Sequence, residues 1–181
     1  MKKIVALLLA MVITAALLAG GTAAYASVYT PTTPDIVVQF DGTTKTEKEM
    51  PANGDLWEPG YTVFKNIKVD CNDSAEYYWT VTLNQEATTL ELPNLADVLE
   101  VYWAYTEDVK GLTRSAAMKE LHYVGTLNET LNGAITISGE RTGGTSITLV
   151  LKMRESAGNE YQGCTEAFNV VMTVSAKTGS N

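Results

Sequence analysis

The sequence predicts an all-β fold: an antiparallel β-sandwich of seven or eight strands, with one short helix in a connection. Three observations carry that expectation. Apolar residues recur at every second position through several runs, as half-buried strands require. Clusters of Gly, Pro, Asn and Asp punctuate those runs at short intervals. Only residues 113–121 carry a helix-like pattern, and that stretch is short.

The elements follow in order. Residues 36–40, Ile-Val-Val-Gln-Phe, read as a short strand behind the Pro31 and Pro34 punctuation. Residues 43–55 are polar, rich in Lys and Glu, and read as a loop. Pro59-Gly60 is a turn. Tyr61, Val63, Ile67 and Val69 then alternate with polar residues, with Phe64 the exception. The turn cluster Cys71-Asn72-Asp73-Ser74 leads into a second alternating run, Tyr77, Trp79, Val81 and Leu83, and the two runs read as a β-hairpin. Leu99, Val101, Trp103 and Tyr105 give another strand. Thr113 is a suitable N-cap for a helix carrying Ala116, Ala117, Met118 and Leu121. Three more strands are expected at residues 134–138, 146–153 and 168–175, the first two joined by a hairpin turn at Gly143-Gly144. The tail 177–181 is expected to fray.

The N-terminus reads as an export signal. Lys2 and Lys3 precede an apolar run over residues 4–18, and Ala24-Tyr25-Ala26 is a small-x-small cleavage site. The expected cut falls between Ala26 and Ser27, leaving a single domain of residues 27–181. Of 13 basic and 21 acidic residues, only Lys2 and Lys3 lie in the leader, so the mature chain has 11 basic, 21 acidic and a net charge of −10. That field repels phosphate backbones and anionic lipid, so neither nucleic acid nor, after cleavage, a membrane is expected as a partner.

Two cysteines remain. Cys71 shares the parity of Ile67 and Val69, and Cys164 that of Phe168, Val170 and Met172. Both are expected to point inward from neighbouring strands, which makes them a candidate disulfide worth about 4–5 kcal/mol in the chain-entropy model. The alternative is two separate buried thiols.

Residues that usually carry chemistry are sparse. His122 is the only histidine, so no His-Glu-x-x-His zinc motif is present. There is no Gly-x-Ser-x-Gly elbow. Residues 139–144 are glycine-rich but lack the Lys-Ser or Lys-Thr of a phosphate loop. Glu107-Asp108 and Asp70 with Asp73 follow no EF-hand pattern and read as solvated charge. No catalytic residue, metal ligand or cofactor is assigned. Trp57, Trp79 and Trp103 are the remaining candidates, for a sugar-binding face, although Trp79 and Trp103 lie on the apolar parity of their strands and Trp57 suits a plug at one end of the sandwich.

Two segments carry a resemblance. Leu56-Trp57-Glu58-Pro59-Gly60-Tyr61-Thr62-Val63 is similar to the W-x-P-G-x-T opening of the TasA/camelysin family of exported bacterial proteins. Residues 151–163, Leu-Lys-Met-Arg-Glu-Ser-Ala-Gly-Asn-Glu-Tyr-Gln-Gly, with residues 168–176, resemble that family's close. The Ala-Tyr-Ala ending also resembles leaders cut by a SipW-type signal peptidase. The chain departs from the pattern at Ser27-Val-Tyr-Thr-Pro, where the family often has Phe-x-Asp, and at Ala176-Lys177-Thr178.

The resemblance implies a jelly-roll sandwich located in the extracellular matrix or on the bacterial cell surface. It implies a fibre-forming protein whose partners are copies of itself or related matrix proteins, with the cell wall a further candidate. The sequence offers a physical route. An extended arm, about residues 27–40, carries Ile36, Val37, Val38 and Phe40 as a candidate donor strand that leaves its own sheet and pairs with an exposed edge of the next subunit. The alternative is that these residues form the first strand of their own sandwich. Two other functions stay open: a camelysin-type surface metallo-endopeptidase, for which no zinc motif is visible, and a carbohydrate-binding module.

Overall fold

The computed structural model describes residues 29–31, 33–49, 57–85, 94–133, 135–161, 164, 166 and 168–177. The leader, the expected Ala26–Ser27 cleavage site and residues 178–181 lie outside these described residues.

The fold is an all-β sandwich of two sheets. One has five strands in the order β1 (Ile36–Gln39), β3 (Thr62–Asp70), β8 (Thr145–Met153), β5 (Leu99–Tyr105) and β6 (His122–Thr126). The other has four, in the order β2 (Lys45–Glu49), β9 (Phe168–Ala176), β4 (Glu76–Gln85) and β7 (Ile137–Thr142). Strands β1 to β4 alternate between the sheets, and β7, β8 and β9 do so again, so the chain wraps around the core in a jelly-roll-like path. Strands β5 and β6 pair antiparallel and extend the first sheet beyond β8.

The alternating residues meet between the sheets. Ile67, Val69, Leu99, Val101, Ile147, Leu149, Leu151 and Met153 come from one side, and Tyr77, Trp79, Val81, Leu83, Val170, Met172 and Val174 from the other, all buried. Trp79 packs edge-on to Trp103 at 5.2 Å and to Tyr105 at 6.1 Å, an arrangement aromatic quadrupoles favour. The backbone of β7 approaches Trp79 closely because position 139 is glycine, directly opposite Trp79 in the ladder. A Cβ there would lie 2.7 Å from the indole.

The expected helix is present as α2 (Arg114–Glu120), and the Thr113 hydroxyl accepts from the Ala116 N–H at 3.2 Å. Two further short helices were not expected, α1 (Thr106–Val109) and α3 (Leu127–Leu131). Helix α3 opens with a capping box. Thr126 Oγ1 accepts from the Glu129 N–H, and Glu129 accepts from the Thr126 N–H at 2.7 Å. Helices α1 and α2 lie on the outer face of the five-stranded sheet over a small second core of Ala104, Val109 and Ala117. That core explains Phe64, the residue out of phase in β3: its ring points to the outer face and lies 4.7 Å from that of Tyr29.

Five expectations need correction. The stretch 43–55 is not all loop, because Lys45–Glu49 forms β2 along β9. Strands β3 and β4 are not a hairpin; they belong to opposite sheets. Their apolar faces meet across the core, and alternation alone does not distinguish strands that pair from strands that face each other. For the same reason Gly143-Gly144 is a corner between sheets, and the preceding strand runs Ile137–Thr142 rather than 134–138. The sandwich is also not wholly antiparallel, since β1 runs parallel to β3.

Candidate functional site

Ile36–Gln39 form β1, at the edge of the five-stranded sheet, with Phe40 directly after it. The candidate donor residues of the arm, Ile36, Val37, Val38 and Phe40, are therefore seated in their own sandwich. Ile36, Val38 and Phe40 point into the core at 5%, 0% and 6% exposure, whereas Val37 is 40% exposed and Gln39 faces water. The register pairs Ile36 with Ile67, Val37 with Lys68, Val38 with Val69 and Gln39 with Asp70. This is the one parallel ladder among the described strands, and parallel pairing is slightly weaker per residue.

Both ends of the strand are fastened. Upstream, the Asp35 N–H donates to the Asn66 carbonyl at 2.7 Å, the Asn66 N–H donates to Asp35 Oδ2 at 2.7 Å, and Lys65 pairs with Asp35 at 3.2 Å. Downstream, the Phe40 N–H donates to the Asp70 carbonyl at 2.9 Å, and the Phe40 ring lies 5.3 Å from Tyr77. The chain then turns at Asp41, whose carboxylate accepts from the Thr43 hydroxyl and N–H and pairs with Lys45 at 3.0 Å. Those contacts, the Thr43 hydroxyl foremost, hold it well below the usual carboxylate range.

The two resembling motifs meet at one end of the sandwich. The Gly60 N–H donates to the Met153 carbonyl at 3.0 Å, and the Met153 N–H donates to the Tyr61 carbonyl at 2.9 Å. Gly60 sits at φ +83°, where a side chain would be strained. Trp57, Ala157 and Tyr161 pack against the core there, and Trp57 meets Tyr61 edge-on at 5.6 Å. A groove of about 510 Å³ beside them is lined by Tyr61, Phe64, Met118, Lys152 and Glu155 among others.

No protein-family model matches the sequence, and comparison with characterised proteins gives no match. The residues themselves must therefore carry the functional reading.

Trp79 is fully buried, Trp103 half-buried against it, and Trp57 packed inward, so the three tryptophans do not form one exposed row. His122 is exposed on the edge strand β6, its ring 5.3 Å from Trp103. Glu107 pairs with Arg141 at 3.4 Å and Asp70 with Lys68 at 3.5 Å. Among the described residues no group of three His, Cys, Asp or Glu side chains is placed to hold a metal ion.

The expected disulfide is not made: Cys71 and Cys164 are both free and half-buried. Neither lies on a strand, and they sit at opposite ends. Cys71 follows the last residue of β3, while Cys164 is tied to Tyr161, past the end of β8 that pairs with the start of β3. Nine residues of β3 separate those ends, about 30 Å at the usual rise and far beyond disulfide reach. Burial, then the carboxylates of Asp70 and Asp73, push the Cys71 thiol up, so it stays protonated at neutral pH.

Proposed function

We propose that this chain is an exported structural protein of the bacterial cell surface or extracellular matrix, built to assemble with copies of itself by β-strand addition at β1. The observation that supports this best is the placement of β1. It is a four-residue edge strand, attached by one parallel ladder, with three apolar side chains that plug into the core. A segment of this kind can be exchanged between copies. If β1 leaves, the edge of β3 and the pockets of Ile36, Val38 and Phe40 stand open to the same segment of a second chain. Such head-to-tail contacts do not close, so they propagate as a filament.

The leader pattern and the two motifs that resemble those of the TasA/camelysin family support the same reading. So does the acidic surface, which keeps subunits soluble until they join. The test is electron microscopy of the mature protein beside a form lacking residues 27–40. Filaments are expected from the first and not from the second. A mature protein that remains monomeric in every condition, alone and with cell wall, contradicts the proposal.

A further inference from the structure

Tyr29 lies seven residues upstream of β1, yet it is bound more elaborately than β1's own exposed residues. Its N–H donates to the Leu112 carbonyl at 2.8 Å, and its carbonyl accepts from the Gly111 N–H at 3.0 Å. Gly111 holds φ +83°, a conformation that a side chain would strain, in the turn that presents this N–H. The Tyr29 ring lies 4.7 Å from Phe64 at an interplanar angle of 32°, and Arg114 stands 5.3 Å above the other participant, Phe64. The Tyr29 hydroxyl reaches Thr148 Oγ1 at 3.4 Å.

That hydroxyl completes a buried polar cluster. Thr106 Oγ1 donates to Asn66 Oδ1 at 3.1 Å and lies 3.0 Å from Thr148 Oγ1; all three residues are under 9% exposed. Leu112 and Leu121 pack at the same small core as the ring. The slot is thus apolar at its walls and polar at its floor, a shape suited to a phenol. Burial raises the phenol's pKa, in keeping with an enclosed group.

Between this anchor and Asp35 the chain contains Pro31 and Pro34, which have no N–H to give and restrict the backbone. The chain is therefore held at two points, Tyr29 and Asp35, with two prolines in the sequence between them, and β1 follows directly after the second.

We propose that Tyr29 is a latch: its seating in the slot formed by Phe64, Gly111, Leu112 and Thr148 holds the β1 segment in its own subunit and sets how often that segment is free to be exchanged. The latch rests on the assembly reading for its purpose, but not for its existence. With Tyr29 seated, a β1 that detaches is tethered close by and re-forms. With Tyr29 removed, the segment loses its outermost tether, and the Asp35 contacts, the four-residue ladder and the buried side chains of Ile36, Val38 and Phe40 are left to oppose opening.

The experiment compares the mature protein with Tyr29→Ala, Tyr29→Phe and Gly111→Ala. Opening is read as hydrogen exchange of residues 35–40, against exchange of β4 and β9 as the reference. Assembly is read separately, by light scattering and microscopy. Tyr29→Ala is expected to speed exchange over 35–40 at least tenfold with the reference strands unchanged, and Gly111→Ala to speed it by a smaller factor. Tyr29→Phe keeps the ring and is expected to stay within about threefold of wild type. Should Tyr29→Ala disturb the reference strands as well, Gly111→Ala decides alone. If the variant that leaves β4 and β9 intact also leaves 35–40 at the wild-type rate, the latch is wrong. If exchange rises as expected but no form of the protein assembles, the latch stands and the assembly proposal falls.

Discussion

Strands β1 and β2 follow one another in the chain, lie at the same side of the sandwich, and solve the problem of a sheet edge in opposite ways. β2 is Lys-Thr-Glu-Lys-Glu, with Thr46 and Glu47 exposed. Its hold on the fold is an antiparallel ladder to β9, and its alternating charges discourage any further strand. β1 is Ile-Val-Val-Gln, parallel to β3, uncharged within the strand, and anchored by side chains. One edge is guarded by what it displays and the other by what it buries. An edge guarded by burial can be released and re-formed with another copy; a charged edge offers nothing to an incoming chain.

The largest test of that contrast is Val38→Asp against Thr46→Ala. The first places a carboxylate where Val38 is fully buried and is expected to cost about 3 kcal/mol or more in urea unfolding. The second removes a surface hydroxyl contact and is expected to stay within about 0.5 kcal/mol. Equal costs would erase the distinction between the two edges. Next in size is Gly139→Ala on β7, the edge opposite β2 in the same sheet. Its Cβ would press on the buried Trp79 ring, so a loss of about 1–3 kcal/mol is expected. In a Trp79→Phe background the same substitution should cost less than it does beside Trp79, and an unchanged cost would mean the clash is not the cause.

Smaller still is Thr126→Ala, which removes the α3 cap at the far side of the sandwich. About 1 kcal/mol of global stability should go, while exchange over residues 35–40 relative to β4 and β9 should not move. Coupling between the two would make the edge less autonomous than its contacts suggest.

Alkaline titration should have the mildest effect. Burial raises the phenol pKa of Tyr29, Tyr77 and Tyr102 above the ordinary value of 10.0. Near and above pH 10 the unfolded chain gives up these protons while the folded chain keeps them. Stability should therefore be unaffected by these groups below about pH 9 and fall as pH rises beyond 10, read as a drop in Tm. A stability that rises with pH in that range would contradict the burial of these hydroxyls.

Strands whose alternation reports a buried face were legible in the sequence: β3, β4, β5, β8 and β9 all lie where Ile67, Trp79, Val101, Leu149 and Met172 point inward. The α2 cap was legible for the same local reason, Thr113 before a run of good helix formers. β2 was not, because an edge strand made of Lys, Thr and Glu carries no hydrophobic period. The second half of the error was three-dimensional. Parity was extended past the strand ends to Cys71 and Cys164, which lie in connections at opposite ends of the sandwich, and pairing two amphipathic strands as a hairpin overlooked that they can face one another. The α3 helix did carry a signal, Thr126-x-x-Glu129, which was obscured by the short span it caps. At the candidate site, the apolar run of β1 was visible. The role of Tyr29 was not, since a lone tyrosine among Pro and Thr has no periodic pattern and acquires meaning only from Phe64, Leu112 and Thr148, residues 35 or more positions away.

The most direct measurement on the exchange of β1 is a reversible clamp. Val37→Cys and Lys68→Cys, paired partners in the β1–β3 ladder, would be joined in a chain whose own thiols are replaced by Cys71→Ser and Cys164→Ser. Ladder partners lie within disulfide reach. Oxidised, this protein should remain monomeric under conditions that assemble the parent; after reduction it should form filaments. Filaments that grow equally well with β1 locked to its own β3 would show that exchange of this strand is not how the protein assembles.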